Sequence, residues 1–266
     1  MFTCEKLRDN ITSIVDPTGV RAFLIEGTKK AALIDTCCGV GNLQELVKRM
    51  TSLPILVLCT HGHVDHASGT YGFEEVYLNE ADWELVKSHT TYECRRSFVD
   101  PEGTKFSADD YVPQRDGNYL NLTDGQLFDL GGITLEAISV PGHTHGSMTF
   151  LIKEQRTLIS SDACNPFTFM FLDESTSLRT LVQSLNRLLE RESEFDTVWI
   201  SHGDVDFPKS GITDVLEVCD EIFARRDDMI PFESLGRQGF IAKRQNDQGV
   251  RADGKDGNVV YGLSKL

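Results

Sequence analysis

Three of the chain's seven histidines lie within six residues, directly after a short apolar run. That run, Pro54–Cys59, is typical of a strand buried on both faces. The residues that follow, Thr60–His66, read Thr-His-Gly-His-Val-Asp-His. Because His61 and His63 are two positions apart in an extended segment, their rings should point to the same side. Asp65 and the histidine after it lie where the chain is expected to turn into a helix. Their side chains can therefore face a second position close to the first.

Three further groups follow predicted strands in the same way. His143 and His145 lie in Pro-Gly-His-Thr-His-Gly-Ser, Asp162 ends the segment Ile-Ser-Ser-Asp, and His202 lies in Ser-His-Gly-Asp. Loops at the carboxyl ends of strands are where α/β sheets build their sites. One such histidine alone would be read as a surface residue, but this whole pattern indicates metal ligands.

The residue types favour a divalent metal. Imidazole and carboxylate groups together suit zinc, with iron and manganese as competitors. Three histidines on one metal leave a position open for water, and a carboxylate between two metals about 3.5–4 Å apart completes a two-metal site. We therefore expect two divalent ions, with Zn²⁺ as the first choice and Fe or Mn as alternatives.

Short apolar runs alternate with turn residues along the chain. They predict strands at Ile11–Val15, Val20–Glu26, Lys30–Asp35, Pro54–Cys59, Ile133–Val140, Met148–Ile152, Thr157–Ser161, Thr197–Ser201 and Asn258–Leu263. Apolar residues at helical spacing predict helices at Leu43–Met50, at Leu178–Leu189 with Ser177 as its N-cap, and at Ile212–Phe223. This order predicts an α+β fold with two sheets and helices outside them.

One region breaks the pattern. Residues 80–118 begin helix-like and charged and then become irregular, with two prolines and two glycines. We interpret this region as an insertion or a lid. Since no linker or repeat interrupts the rest, we expect residues 1–266 to form a single domain.

The charge balance excludes some functions. Asp and Glu number 41 against 26 Lys and Arg, a formal charge of −15, which argues against a nucleic-acid partner. No apolar run approaches the roughly 18–20 residues of a membrane helix, and the N-terminus lacks the features of a secretory signal. The seven cysteines form no Cys-x-x-Cys pair and are interpreted as reduced thiols. We expect a cytoplasmic protein with a small-molecule substrate and no membrane partner, and homo-oligomerisation stays open.

These motifs together resemble those of the metallo-β-lactamase-fold hydrolases. Thr60–His66 matches that family's His-x-His-x-Asp-His signature, and Pro141–Ser147 matches its Gly-His-Thr-x-Gly-Ser segment. Asp162 matches the bridging aspartate, His202 the last histidine, and Asp35 an early buried aspartate. The resemblance covers about residues 30–205 and lies closest to the dinuclear branch that includes glyoxalase II and lactonases.

The resemblance implies an αββα sandwich and a definite set of ligands. One metal would be held by His61, His63 and His143, and the second by Asp65, His66 and His202, with Asp162 and a hydroxide bridging the two ions. Asp35 is expected to support the ligand loop rather than bind metal.

Other residues near these ligands are candidates for substrate contact or for packing. His145 occupies a position that varies in the family and is a candidate for substrate contact. Phe167 and Phe169 follow the bridging aspartate closely, and core packing and an apolar pocket wall are equally good explanations. Cys164 is interpreted as an inert neighbour of the ligands.

The resemblance implies a hydrolase in which the bridging hydroxide attacks a small ester, thioester or lactone, with Asp65 as a candidate for proton transfer. The alternatives on the same fold are a sulfur dioxygenase with one iron and a phosphodiesterase. A glyoxalase II would bring a C-terminal helical domain with basic residues, and a lactonase a tyrosine soon after the bridging aspartate. Neither feature is clear in this sequence. A non-catalytic binding module is disfavoured, because such a module has no need of an open metal position.

Overall fold

The apolar runs of the first half fold into a mixed seven-stranded sheet. We describe a computed structural model that covers residues 2–234 and 236–266. The chain divides into two compact units, the first ending at Ala137 and including residues 201–203, and the second made of residues 138–200 and 204–266.

The first unit contains nine strands and four helices. In chain order these are β1 (Thr3–Arg8), β2 (Ile11–Val15), β3 (Arg21–Glu26), β4 (Ala31–Ile34), α1 (Leu43–Met50), β5 (Ile55–Leu58), α2 (Val64–Ala67), β6 (Glu75–Leu78), α3 (Trp83–His89), α4 (Tyr92–Val99), β7 (Leu120–Asn121), β8 (Leu127–Asp129) and the first part of β9 (Thr134–Ser139). Strands β1 to β7 lie in that order in one sheet. The pairs from β1 to β4 are antiparallel and those from β4 to β7 are parallel.

The parallel half of this sheet explains the continuous apolar runs. Leu33 pairs with Val57, and Leu58 pairs with Tyr77 on the next strand. The core of the unit includes residues of β4, β5 and β6 together with Leu43 and Val47 of α1. Because helices cover such strands, both faces are apolar and the carboxyl ends of β4 and β5 emerge side by side.

The second unit builds two further sheets. Its elements are β10 (Met148–Ile152), β11 (Thr157–Ile159), β12 (Thr168–Met170), α5 (Leu178–Leu189), β13 (Thr197–Trp199), β14 (Asp206–Phe207), α6 (Ser210–Phe223), β15 (Ile230–Ser234), β16 (Arg237–Ile241) and β17 (Val259–Tyr261). One sheet has the order β14-β13-β11-β10-β9-β8, and the other has the order β12-β17-β16-β15.

Helices α5 and α6 pack on the core of the second unit. Leu181 and Leu185 of α5 and Val215 of α6 are fully buried there. Helix α5 begins after Ser177, whose hydroxyl accepts a hydrogen bond of 3.2 Å from the amide of Thr180. The N-cap and the apolar stripe therefore specify this helix jointly, as the sequence predicts.

The predicted α+β class and most of the predicted elements are confirmed. The differences concern elements with weak patterns. Residues 80–118, expected to be irregular after their first turns, contain α4 as well as α3. The polar tail expected from Gly236 contains β16, which forms a hairpin with β15. Strand β1 was not predicted because four of its six residues are exposed, so its sequence carries no apolar alternation.

Across the part of the chain that the structure describes, none of the helices combines the length and the apolarity needed to cross a membrane.

The cap of α5 gives a testable stability effect. Replacing Ser177 by Ala removes the acceptor for the Thr180 amide and should lower the free energy of unfolding by about 1 kcal/mol. Chemical denaturation measures this change. Ser52→Ala, at an exposed serine, is the matched control and should stay within about 0.5 kcal/mol of the parent. An equal effect of the two substitutions would contradict the assigned cap.

Candidate metal centre

The histidine-rich segment lies directly after β5, as a tight and fully buried turn. The ring centroids of His61 and His63 are 4.7 Å apart, and those of His61 and His66 are 4.1 Å apart. His63 is extended and precedes α2, so its carbonyl accepts the amide of Ala67 at 3.0 Å. This change from extended chain to helix places all three rings within one small volume.

Asp65, His66 and His202 form a compact donor group in the first unit. Oδ2 of Asp65 lies 3.5 Å from Nε2 of His66 and 3.4 Å from Nε2 of His202. One ligand atom of each residue lies within 4.8 Å of the others. His202 is half-buried and its side chain is 39% exposed, whereas His66 is completely buried. The group is therefore reachable from solvent on the side of His202.

A buried carboxylate, Asp35, orients this group from below. One of its oxygens lies 2.9 Å from Nδ1 of His66, and the carboxylate accepts the amide of Thr60 at 2.7 Å and the Thr60 hydroxyl at 2.8 Å. The hydroxyl oxygen in turn lies 3.0 Å from Nδ1 of His61. With Nδ1 of both rings engaged, each ring presents Nε2 as its electron-pair donor.

Asp35 adopts a conformation that is uncommon for its residue type. Its φ is +61°, in the left-handed region that few residues other than glycine, asparagine and aspartate enter. It follows β4 directly, so this turn of the backbone aims the carboxylate back across the end of β5. Such local strain is retained where the surrounding structure requires it.

Two supporting residues in this unit were not foreseen from the sequence. Oδ2 of buried Asp82, just before α3, accepts the amide of Gly62 at 2.9 Å. Arg21 holds the segment that carries His202 from both sides: its amide donates to the carbonyl of Ser201 at 2.9 Å and its Nη2 to the carbonyl of Gly203 at 3.1 Å. No local motif marks either residue, because each acts on a loop that is distant in sequence.

The second unit contains a histidine–aspartate pair of its own. Nδ1 of His143 donates to the carbonyl of Phe169 at 2.8 Å, and its Nε2 lies 3.7 Å from Oδ2 of Asp162. The carbonyl of His143 accepts the hydroxyl of Ser175 at 2.9 Å. This ring is thus fixed in the same way as the two others, with its Nδ1 bound and its Nε2 directed at a carboxylate.

Asp162 lies at the end of a strained turn. The preceding residue, Ser161, has a φ of +48°, and the turn follows β11 closely. The Asn165 amide group donates to Oδ1 of Asp162 at 3.4 Å, and its own oxygen accepts the amide of Phe167 at 2.7 Å. Asn165 is a further positioning residue that the sequence pattern did not reveal.

The spacing of these donors fits a divalent cation. Ligands at about 2.0–2.2 Å from a tetrahedral metal lie about 3.3–3.6 Å from one another. Imidazole–carboxylate separations of 3.4 and 3.5 Å around Asp65 match that spacing and are longer than a good hydrogen bond. Neutral imidazole and ionised carboxylate are also the donors that zinc, iron and manganese accept.

The remaining candidates lie near these ligands in different ways. His145 is exposed, whereas His89, at the end of α3, stacks on His63 with centroids 5.2 Å apart. Phe167 and Phe169 are half-buried in a group of phenylalanines. Cys164 is buried, which raises the pKa of its thiol and keeps it protonated, in line with an inert role.

Fold and donors together define an α+β metal-binding protein. A family model described as the metallo-beta-lactamase superfamily matches residues 15–203, and the chain belongs to this superfamily. The membership and fold type that the motifs predicted are therefore confirmed.

Curated relatives and solved structures agree with this family. The chain is 27% identical over 157 residues to the acyl-coenzyme A thioesterase MBLAC2 of Homo sapiens, covering 53% of this chain and 56% of that protein. It is 29% identical over 150 residues to the hydroxyacylglutathione hydrolase GloC of Haemophilus influenzae, covering 53% and 64%. The alignments thus span little more than half the length of these relatives. A metallo-beta-lactamase from Pontibacter korlensis shares the fold with a TM-score of 0.60 at 17% identity, over 83% of this chain and 99% of that one.

The role of Asp35 can be tested by removing its charge alone. Asparagine tolerates the left-handed backbone, so Asp35→Asn should fold but lose about 10–100-fold in metal affinity. Competition with a chromophoric chelator measures this loss.

Two further variants complete the test. Asp35→Ala should also lower the melting temperature, because alanine is strained at this φ. Asp9→Asn, at an exposed carboxylate, is the matched control and should bind metal like the parent. Unchanged metal affinity in Asp35→Asn would show that Asp35 does not support the ligands.

Proposed function

We propose that this protein is a metal-dependent hydrolase that cleaves an acyl thioester at a dinuclear centre. The observation that carries the proposal is the position of Asp65, whose Oδ2 lies at metal-ligand spacing from two separate imidazoles, 3.4 and 3.5 Å away. The ring of His66 is in turn fixed by a buried carboxylate. Such a donor group suits an ion that must keep a position open for chemistry.

The ligands are assigned residue by residue from membership of the superfamily. His61, His63 and His143 would hold one ion, and Asp65, His66 and His202 the other. Asp162 would be shared between them. The ions would supply a nucleophilic water of lowered pKa and would polarise the carbonyl of the substrate.

The chain's own residues have separate tasks in this proposal. Asp35 and the Phe169 carbonyl hold Nδ1 of two ligand rings and so fix the donor atoms. Asp65 has a side chain that is 10% exposed, so it can accept a proton from the attacking water and return it to the departing thiolate. Arg21 keeps the exposed segment of His202 in place.

Charge and kinship support an acyl substrate. The chain carries −15, which slows the approach of polyanions. Seven ligands with two carboxylates around two divalent ions would leave a local charge of about +2, enough for one anionic group or a polarised carbonyl. Both relatives described above are named for hydrolysis of an acyl group. Esters and lactones are the next candidates.

The proposal extends to the domain organisation, the location and the oligomeric state. Residues 1–266 are taken as one catalytic domain, with residues 80–118 as an insertion that contributes Asp82 and His89 near the ligands. Seven free cysteines, five of them buried, support a cytoplasmic location. Formation of a homo-oligomer is compatible with these observations.

The metal content tests the dinuclear assignment. Seven donors exceed what one zinc ion takes, so the fully loaded protein should contain two equivalents of divalent metal per chain. Elemental analysis after removal of excess metal measures this ratio, and apo protein reloaded with one or two equivalents is the control. A single equivalent of iron would contradict the proposal and would favour the sulfur dioxygenase.

A substrate panel tests the reaction. At physiological salt, acyl thioesters should be hydrolysed faster than esters, lactones, a phosphodiester or single-stranded RNA. Asp162→Ala should lower the thioesterase rate by at least about 10²-fold, as expected for a lost catalytic group, and hold less metal. Cleavage of RNA faster than every carbonyl compound would show that the charge argument is wrong and would point to a nuclease.

A further inference from the structure

Four phenylalanines form an aromatic cluster in the second unit, namely Phe167, Phe169, Phe171 and Phe232. Their rings contact one another with centroids 5.1–6.0 Å apart, in tilted and edge-to-face arrangements. Phe171 is 5% exposed, whereas the other three rings are only half-buried. The aromatic cluster therefore has a buried base and an accessible apolar side.

The sheet β12-β17-β16-β15 builds this cluster from distant parts of the chain. Phe169 lies in β12, and Phe232 lies in β15 opposite Gly239 of β16. A Cβ atom at Gly239 would lie 3.0 Å from Cβ of Phe171, tighter than most such contacts. The glycine thus makes room for Phe171 beneath the accessible rings.

Three hydrogen bonds link backbone atoms of the aromatic cluster to the proposed ligands, one directly and two through Asn165. The carbonyl of Phe169 accepts Nδ1 of His143 at 2.8 Å. The Asn165 side chain donates to Asp162 and accepts the amide of Phe167 at 2.7 Å. The backbone of Phe169 is therefore bonded to one proposed ligand, His143, and that of Phe167 is linked through Asn165 to another, Asp162.

We propose that the aromatic cluster binds the apolar acyl chain of the substrate and selects thioesters of medium or long chain. This inference rests on the proposed thioesterase function. The three half-buried rings offer an apolar surface of the kind that binds an alkyl chain. Phe232 also lies beyond residues 15–203, the part that the superfamily model matches, so this selectivity would be a property of the chain's own C-terminal hairpin.

Chain-length selectivity tests the proposal. The ratio of kcat/KM for the decanoyl thioester of N-acetylcysteamine, which carries no charge, to that for the acetyl thioester should be large in the parent, since each buried methylene adds up to about fourfold. Phe232→Ala should lower this ratio at least tenfold, mainly through KM, and Phe167→Ala should act in the same direction. Phe232→Leu, which keeps apolar volume, should restore most of the ratio.

The matched control is Phe240→Ala. Phe240 lies on β16 of the same sheet but packs against the core formed by α5 and α6. This variant should therefore keep the parent's ratio even if it lowers stability. A ratio that is unchanged in both Phe232→Ala and Phe167→Ala, or that falls equally in Phe240→Ala, would overturn the proposal. So would a change of oligomeric state in Phe232→Ala without a change of ratio, because the cluster would then be a subunit interface.

A binding measurement separates this inference from the proposed function. Calorimetry compares a non-hydrolysable decyl thioether of N-acetylcysteamine with its ethyl counterpart. The decyl compound should bind the parent at least tenfold more tightly, and this advantage should be lost in Phe232→Ala. If no thioester is hydrolysed but the decyl advantage is present, the proposed reaction fails while the apolar subsite stands. Equal binding of both compounds would refute the subsite.

Discussion

The proposed metal centre depends on one buried carboxylate, that of Asp35. It joins the end of β4 to the loop after β5 through Thr60 and His66. Burial of such a carboxylate is tolerated because Thr60 donates hydrogen bonds to it and the His66 ring engages it through Nδ1, and the same bonds fix which nitrogen each ring presents. The parallel pairing of β4 with β5 brings the two strand ends together and makes this arrangement possible.

The sequence predicts the parts of the molecule in which local pattern and tertiary role coincide. The start of α5 at Ser177 is predictable because the apolar stripe and the capping serine mark the same boundary. The position of His61 and His63 directly after β5 is predictable because a strand buried on both faces has a recognisable composition. The motifs also identify the superfamily, since their residue types are dictated by the chemistry of the metal rather than by packing.

Other parts escape prediction for physical reasons. Strand β1 is an exposed edge strand, so its sequence lacks the alternating apolar residues that burial of one face would require. Asp82 and Arg21 act on loops that are distant in sequence, through hydrogen bonds that no short motif encodes. Phe167 and Phe169 illustrate a third case, because their positions in the sequence favour core packing and a pocket wall equally, and the rings are half-buried. Which side of a ring is covered is settled by β15, a strand more than 60 positions further along the chain.

The hydrogen bonds from Arg21 to the segment of His202 also bear on how the protein folds during synthesis. The bond between Arg21 and Gly203 spans 182 positions, so the backbone that carries His202 closes one of the longest loops in the chain. Closing such a loop is entropically costly and comes after local structure has formed. During synthesis, the nascent first unit would therefore hold an incomplete set of donors until the segment after β13 leaves the ribosome. Full metal retention would then follow the synthesis of that segment.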